Sequence, residues 1–187
     1  MEIYLIRHTT PYIDKGICYG QSDIPVEASL FATELVAIKA KIPLDIGTYY
    51  SSPLTRCSTL AQQLSNDYNT DSRLMELHFG DWENKNWDNI HSEELDLWMQ
   101  DFVNTAPPNG ESYYALHQRT IAFVDDLLAT EKESAVIVTH AGNIRSFLSL
   151  ALGLPLQNSF RIEVPYGAVV VLKMNTDADF NKLIAIK

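Results

Sequence analysis

An arginine followed at once by a histidine, Arg7-His8, ends a short apolar run, Ile3-Tyr4-Leu5-Ile6, and the chain then turns at Thr9-Thr10-Pro11. A second histidine, His140, closes the run Ala135-Val136-Ile137-Val138-Thr139 and is followed by Ala141-Gly142-Asn143. These residue types suit one task. A guanidinium offers a rigid fork of donors that matches phosphate oxygens. An imidazole, with an ordinary pKa near ~6.5, is a neutral nucleophile at physiological pH. Arg56, just past Ser51-Ser52-Pro53, is a second candidate anion ligand. If a helix opens at Ala141 and Gly142, their backbone N–H groups and the helix dipole also suit an anion. One histidine could then attack phosphorus while the arginines hold the non-bridging oxygens. The leaving alkoxide needs a carboxylic acid to protonate it, and both Glu76 and Glu83 are candidates.

The elements must bring these groups together. Apolar runs bounded by turn residues read as buried strands of a parallel sheet, and ligands of such sheets gather at the carboxyl ends of the strands. Glu2–Arg7 and Ser134–Thr139 fit that description and deliver a histidine each. Gly16 to Pro25, with two glycines and a proline, has loop composition and lies just past Arg7-His8, as a wall of the site would. Phe31, Leu35 and Ile38 predict a helix from Ala28 to Lys41, ended by Pro43. A short strand near Thr48–Tyr50 precedes a helix predicted from Pro53 to about Ser65, with Ser52 as its N-cap and Leu54, Cys57, Leu60, Ala61 and Leu64 inward. Residues 84–101 read as a short helix or two, with Trp87, Trp98 and Phe102 either packing on the core or forming a lid. Ser112 caps a helix to about Thr130, with Tyr113, Leu116, Thr120, Phe123, Val124 and Leu127 inward. Another helix follows His140 and stops at Gly153. Phe160–Val164 and Gly167–Met174 read as strands, and Lys182–Ile186 as an edge strand. This alternation predicts a single α/β domain over 1–187, a three-layer α/β/α arrangement around a mostly parallel sheet.

Composition narrows the function. The chain has 187 residues, 46% apolar and 20% charged, as an ordinary globular protein has. Its net charge is −10, from 14 basic and 24 acidic residues. That argues against non-specific nucleic-acid binding and against an anionic membrane surface. An anionic substrate therefore needs a locally positive pocket. With only Cys18 and Cys57, no disulfide framework is expected, and a reducing, cytoplasmic setting is the simpler home. Neither a signal peptide nor a membrane span is legible. No metal-ligand spacing links the remaining histidines. His91 and His117 read as solvent-facing, and the two cysteines as small apolar fillers.

Taken in order, Leu5-Ile6-Arg7-His8-Thr9, Ser51-Ser52-Pro53-Leu54-Thr55-Arg56, Glu76-Leu77-His78-Phe79-Gly80-Asp81-Trp82-Glu83, Gly110-Glu111-Ser112 and Val138-Thr139-His140-Ala141-Gly142 resemble the motif series of the histidine phosphatase superfamily, which includes the cofactor-dependent phosphoglycerate mutases. The likeness runs from Glu2 to about Met174. It implies a phosphoglycerate mutase-like fold, an enzyme that needs no metal or cofactor, and a phosphohistidine intermediate. On the matching positions it implies that His8 is the nucleophile, that Arg7, Arg56 and His140 hold the phosphoryl oxygens together with the helix start at Ala141, and that Glu76 is the acid. Arginines would take the part that magnesium has in other phosphoryl-transfer sites.

Departures from the family pattern carry information. Thr9 and Ala141 stand where glycines are usual. Asp14 stands where the family commonly has an asparagine that helps hold phosphate; since an acid repels phosphate, either the loop is shifted or Gln21 takes that role. Thr9-Thr10-Pro11 followed by Cys18-Tyr19-Gly20-Gln21-Ser22-Asp23 resembles the α-ribazole phosphatases of cobalamin biosynthesis. That implies a small-molecule phosphate ester, α-ribazole 5′-phosphate, seated against an aromatic wall of Tyr19, Trp82 or Tyr113. The rival expectations are a phosphatase of the same mechanism for sugar phosphates, nucleotides or phosphoglycerates, and a non-catalytic phospholigand-binding module. A homodimer is compatible with the sequence.

Overall fold

The computed structural model describes residues 1–187. Its strands are β1 (Glu2–Arg7), β2 (Tyr49–Ser51), β3 (Asn69–Thr70), β4 (Ser134–Thr139), β5 (Val169–Lys173) and β6 (Lys182–Ile186). Its α-helices are α1 (Ala28–Lys39), α2 (Thr55–Leu64), α3 (Ser92–Gln100), α4 (Tyr113–Leu128) and α5 (Ala141–Leu152). The strands form one sheet in the order β3-β2-β4-β1-β5-β6. Pairing is parallel from β3 through β2 and β4 to β1, and antiparallel from β1 to β5 and from β5 to β6.

The central strands read as unbroken apolar runs because both of their faces are covered. Ile3, Leu5, Ala135 and Ile137 pack on one side with Phe123 and Val124 of α4 and Ile144, Phe147 and Leu148 of α5. Tyr4, Ile6, Val136 and Val138 pack on the other with Ile38 of α1 and Cys57, Leu60 and Ala61 of α2. The result is the expected three-layer α/β/α fold. A smaller cluster, Cys18, Leu77, Trp82, Ile90, Trp98, Tyr113 and Leu116, seats the excursion between α2 and α4. Trp98 is buried there, and Trp87 and Phe102 pack against the cluster while half-buried.

Local signals account for most element ends. The Ser112 Oγ accepts from the Ala115 N–H at 3.2 Å, capping α4, and all six residues of the predicted inward stripe are buried. Helix α5 ends at Gly153, whose φ of 62° is the left-handed conformation glycine adopts without strain. Helix α1 stops at Lys39, two residues short of the predicted Lys41.

Two expectations are corrected. Helix α2 begins at Thr55 rather than Pro53, with Leu54 at its cap and no side-chain cap bond. Ser52 is occupied elsewhere, as described below. Phe160–Val164 is not a strand: Leu156–Arg161 forms a 3-10 helix after Pro155. The alternation of Phe160, Ile162 and Val164 is real, but β5 already holds the free edge of β1 and β6 holds that of β5. The edge of β1 beside this segment is therefore taken, and two arginine side chains satisfy its carbonyls instead, Arg145 at Ile162 and Arg7 at Val164.

Candidate active site

Parallel register places Arg7 opposite Thr139, so His8 and His140 leave the sheet side by side. The His8 N–H donates to the Thr139 carbonyl at 3.0 Å, and the two imidazole centroids are 5.1 Å apart. Both rings are buried. The Nδ1 of His8 lies 2.7 Å from the Thr9 carbonyl oxygen, which can only accept. Nδ1 therefore carries the proton, and the lone pair is on Nε2. Burial pushes the His8 pKa well below its ordinary value, and the Arg56 and Arg7 charges push the same way. Burial, Arg56 and the neighbouring His8 do the same to His140. His140 Nε2 is 2.8 Å from the Ser52 Oγ and 3.4 Å from the Cys57 Sγ. Ser52 thus steadies a histidine where the sequence suggested a helix cap.

The arginines are held without counter-ions. Arg56 is fully buried in the first turn of α2, with Nη1 donating to the Ser22 carbonyl at 2.8 Å and Nη2 to the Gly20 carbonyl at 2.6 Å. Arg7 Nη1 donates to the Val164 carbonyl at 2.5 Å, and its guanidinium carbon sits 3.8 Å over the Tyr166 ring. The arginines that do pair with carboxylates are Arg73 and Arg119. The buried Nε atoms of Arg7 and Arg56 have no partner. A buried cation without an anion is costly to keep in an empty pocket.

The two candidate acids occupy different surroundings. Glu76 Oε1 accepts from the Leu77 N–H at 2.9 Å, and Oε2 from the Gly142 N–H at 3.2 Å. Its carboxyl group thereby docks on the first turn of α5, next to His140. Glu83 Oε1 accepts from the Gln21 and Phe79 N–H groups, and Oε2 from the Ser22 hydroxyl. Glu83 staples the loop after β1 to the segment before α3. A cavity of about 200 Å3 opens beside this cluster, and Arg7, Tyr19, Glu76, Ala141, Gly142 and Arg145 are among its lining residues.

Several predicted residues fall elsewhere. The Gln21 amide donates to the Glu76 carbonyl at 2.9 Å and does not line the cavity; it supports the backbone that carries Glu76. Asp14 is exposed and borders a different cavity, so no carboxylate intrudes where the phosphate-holding asparagine was expected. Trp82 is core, packed edge-to-face against Trp87 and Trp98, whereas Tyr19 and Tyr113 do line the cavity with Phe79 and Trp87. His91 is exposed, but His117 is half-buried, its Nδ1 2.8 Å from the Ser146 hydroxyl. His78 Nε2 is 4.0 Å from Glu83, on the loop side.

Sequence reading missed Tyr166 and Arg145. The Tyr166 ring lies over Arg7, and its hydroxyl is 2.9 Å from that of Tyr19. Arg145 lines the cavity from α5, one helical turn after Ala141. That spacing of four residues on a helix was a usable signal, since such positions share a face. Burial lowers the Arg145 pKa and Arg7 lowers it further, while Glu76 opposes the shift. No group of three or more His, Cys, Asp or Glu side chains is arranged to hold a metal ion. No helix is long and apolar enough to cross a membrane.

Comparison with known proteins decides the family. The model of the histidine phosphatase superfamily (branch 1) matches residues 3–185. The chain belongs to the histidine phosphatase superfamily. It is a phosphatase, and its resemblance to named relatives spans nearly its whole length. It is 28% identical over 187 residues to a Hydrogenobacter thermophilus protein provisionally named phosphoserine phosphatase 2, covering 92% of this chain and 89% of the relative. To the adenosylcobalamin/α-ribazole phosphatase of Escherichia coli it is 25% identical, covering 94% and 91%. The crystal structure of the α-ribazole phosphatase from Shigella flexneri superposes with a TM-score of 0.87 at 23% identity, over 100% of this chain and 96% of that one. At that identity the superposition speaks for the histidine phosphatase fold.

Proposed function

We propose that the chain hydrolyses phosphate monoesters through a phosphohistidine on His8, and that its substrate is α-ribazole 5′-phosphate. The observation that carries the chemistry is the pair Arg7 and Arg56, buried or half-buried and free of carboxylates, beside a neutral imidazole in a chain of net charge −10. A phosphate dianion supplies the two negative charges this pocket lacks.

In the proposed reaction the His8 Nε2 lone pair attacks phosphorus and the P–O bond to the leaving group breaks. Arg7, Arg56 and His140 hold the non-bridging oxygens, with the start of α5 at Ala141 behind them. Glu76, in its acid form, gives its proton to the departing alkoxide oxygen. As a carboxylate it next takes a proton from water, whose oxygen attacks phosphorus as the N–P bond breaks. Inorganic phosphate leaves, and His8 and Glu76 are restored. Glu76 is favoured over Glu83 because it borders the cavity and its carboxyl group docks at the start of α5 next to His140, whereas Glu83 does not line the cavity.

The aromatic lining from Tyr19, Phe79, Trp87 and Tyr113 supports a leaving group with a flat apolar ring. The name of the Escherichia coli relative points the same way. Phosphate release from α-ribazole 5′-phosphate in EDTA-containing buffer, against a panel of sugar phosphates, nucleotides and phosphoglycerate, tests the substrate. A preference for the α-ribazole ester is expected; equal or higher turnover on the panel discards it. His8→Ala is expected to abolish turnover and acid-labile labelling from a 32P ester while the circular dichroism spectrum is retained. Persistent turnover in that variant removes His8 from its role.

A further inference from the structure

Arg145 has no part in the chemistry above, yet it is built as a binding group. Its Nε donates to the Ile162 carbonyl at 2.9 Å, which fixes the plane of the guanidinium. Its guanidinium carbon rests 5.0 Å over the Phe160 ring. No carboxylate lies within ion-pair distance of it, and its two terminal nitrogens have no partner in the protein. Beyond it lies a groove of about 420 Å3 lined by apolar side chains alone, among them Leu95, Trp98 and Phe102. Phe79, Trp87 and Phe160 line both this groove and the cavity that holds Arg7 and Glu76. The two spaces therefore share a wall, and Arg145 lies against its Phe160. A cationic cradle, a single fixed fork of donors and an apolar trough thus adjoin one another.

We infer that Arg145 and this trough are a second subsite that determines specificity, with Arg145 donating to hydroxyl oxygens in the middle of the leaving group and the trough seating a flat apolar ring at its far end. The inference rests on the phosphatase reading and deepens it. A short carboxylated ester would reach Arg145 and leave the trough empty. A bare pentose phosphate would do the same. Only an extended leaving group with a polar middle and an apolar end uses both features.

Steady-state kinetics on three esters separate the parts: α-ribazole 5′-phosphate, ribose 5-phosphate and propyl phosphate. In Arg145→Gln, kcat/KM for each ribose ester is expected to fall at least ~10-fold relative to propyl phosphate, mostly through KM, as a lost charged donor to a neutral acceptor does. In Phe160→Ala, kcat/KM for the α-ribazole ester is expected to fall ~10-fold relative to ribose 5-phosphate. Phe160 is 43% exposed, so the variant is expected to fold, and Phe160→Leu serves as a second variant. Equal losses on all three esters would make Arg145 part of the phosphate cradle and overturn the inference. So would unchanged ratios. Calorimetric titration with α-ribazole, which has no phosphate to transfer, probes the subsite without turnover. Wild type is expected to bind it and each variant to bind ~10-fold more weakly; no binding by wild type overturns the subsite even where propyl phosphate is hydrolysed. A wild type that hydrolyses no ester yet binds α-ribazole keeps the subsite and removes the phosphatase reading of it.

Discussion

Arg56 shows how function and stability oppose one another at a single residue. Its charge is fully buried, its partners are two carbonyls, and its Nε has none. Two hydrogen bonds from a charged donor contribute about 1.5–3 kcal/mol each, which does no more than offset the effective desolvation penalty of a buried ion, several kcal/mol. Arg56→Met is expected to melt at or above the wild-type temperature in phosphate-free buffer and to lose ~10²–10³-fold in kcat/KM. Saturating phosphate is expected to raise the wild-type melting temperature but not that of the variant. Thermal melts with and without phosphate check both halves, and a large drop in the variant's melting temperature would show that the carbonyl bonds, not the charge, dominate. The same reasoning explains why a chain with ten excess negative charges keeps these arginines apart from its carboxylates.

At the scale of elements, the start of α5 is shaped around the Glu76 carboxyl group. The Gly142 N–H holds Oε2, and a Cβ on Gly142 would collide with Oε1. Position 141 carries no such constraint, and alanine is present there where the family usually has glycine. Gly142→Ala is expected to lower kcat ~10²-fold by displacing Glu76, the size of effect seen when a general acid is lost. Its folding free energy is expected to change by no more than about 1 kcal/mol, because the atom met is the end of a flexible side chain and alanine favours the helix. Comparing kcat with urea unfolding of the variant tests this. The elements that carry the site were legible in the sequence: β1, β4, the α5 start, the Ser112 cap and the Gly153 stop each rest on local chemistry. What was not legible rests on tertiary bonding. Ser52 looks like a cap until His140 claims its hydroxyl. Phe160–Val164 alternates like a strand until Arg7 and Arg145 take its carbonyls. Gln21 looks like a phosphate ligand until the Glu76 backbone takes its amide.

For the molecule as a whole, burying two neutral histidines links stability to pH. The pKa values of His8 and His140 are lowered well below 6.5 in the folded chain, so the unfolded chain binds more protons below about pH 6.5. Stability therefore rises with pH across that window and is lost as pH falls through it, with a slope of up to ~1.4 kcal/mol per pH unit for each histidine. His140→Gln is expected to flatten the dependence between pH 6.5 and 5 by up to that amount in urea titrations, and an unchanged slope would mean that the ring is protonated in the fold. The sheet order has a further effect on how the chain is made. β1 has no partner in the sheet but β4 and β5, which lie more than a hundred residues downstream. Ile3-Tyr4-Leu5-Ile6 is synthesised before either of its partners, so the nascent chain carries a bare apolar strand until residues 134–173 are made. Such non-local pairing makes folding slow and leaves the unfinished chain open to aggregation. The Arg7-His8 dipeptide therefore comes to lie beside His140 only after β4 has been made, more than a hundred residues later.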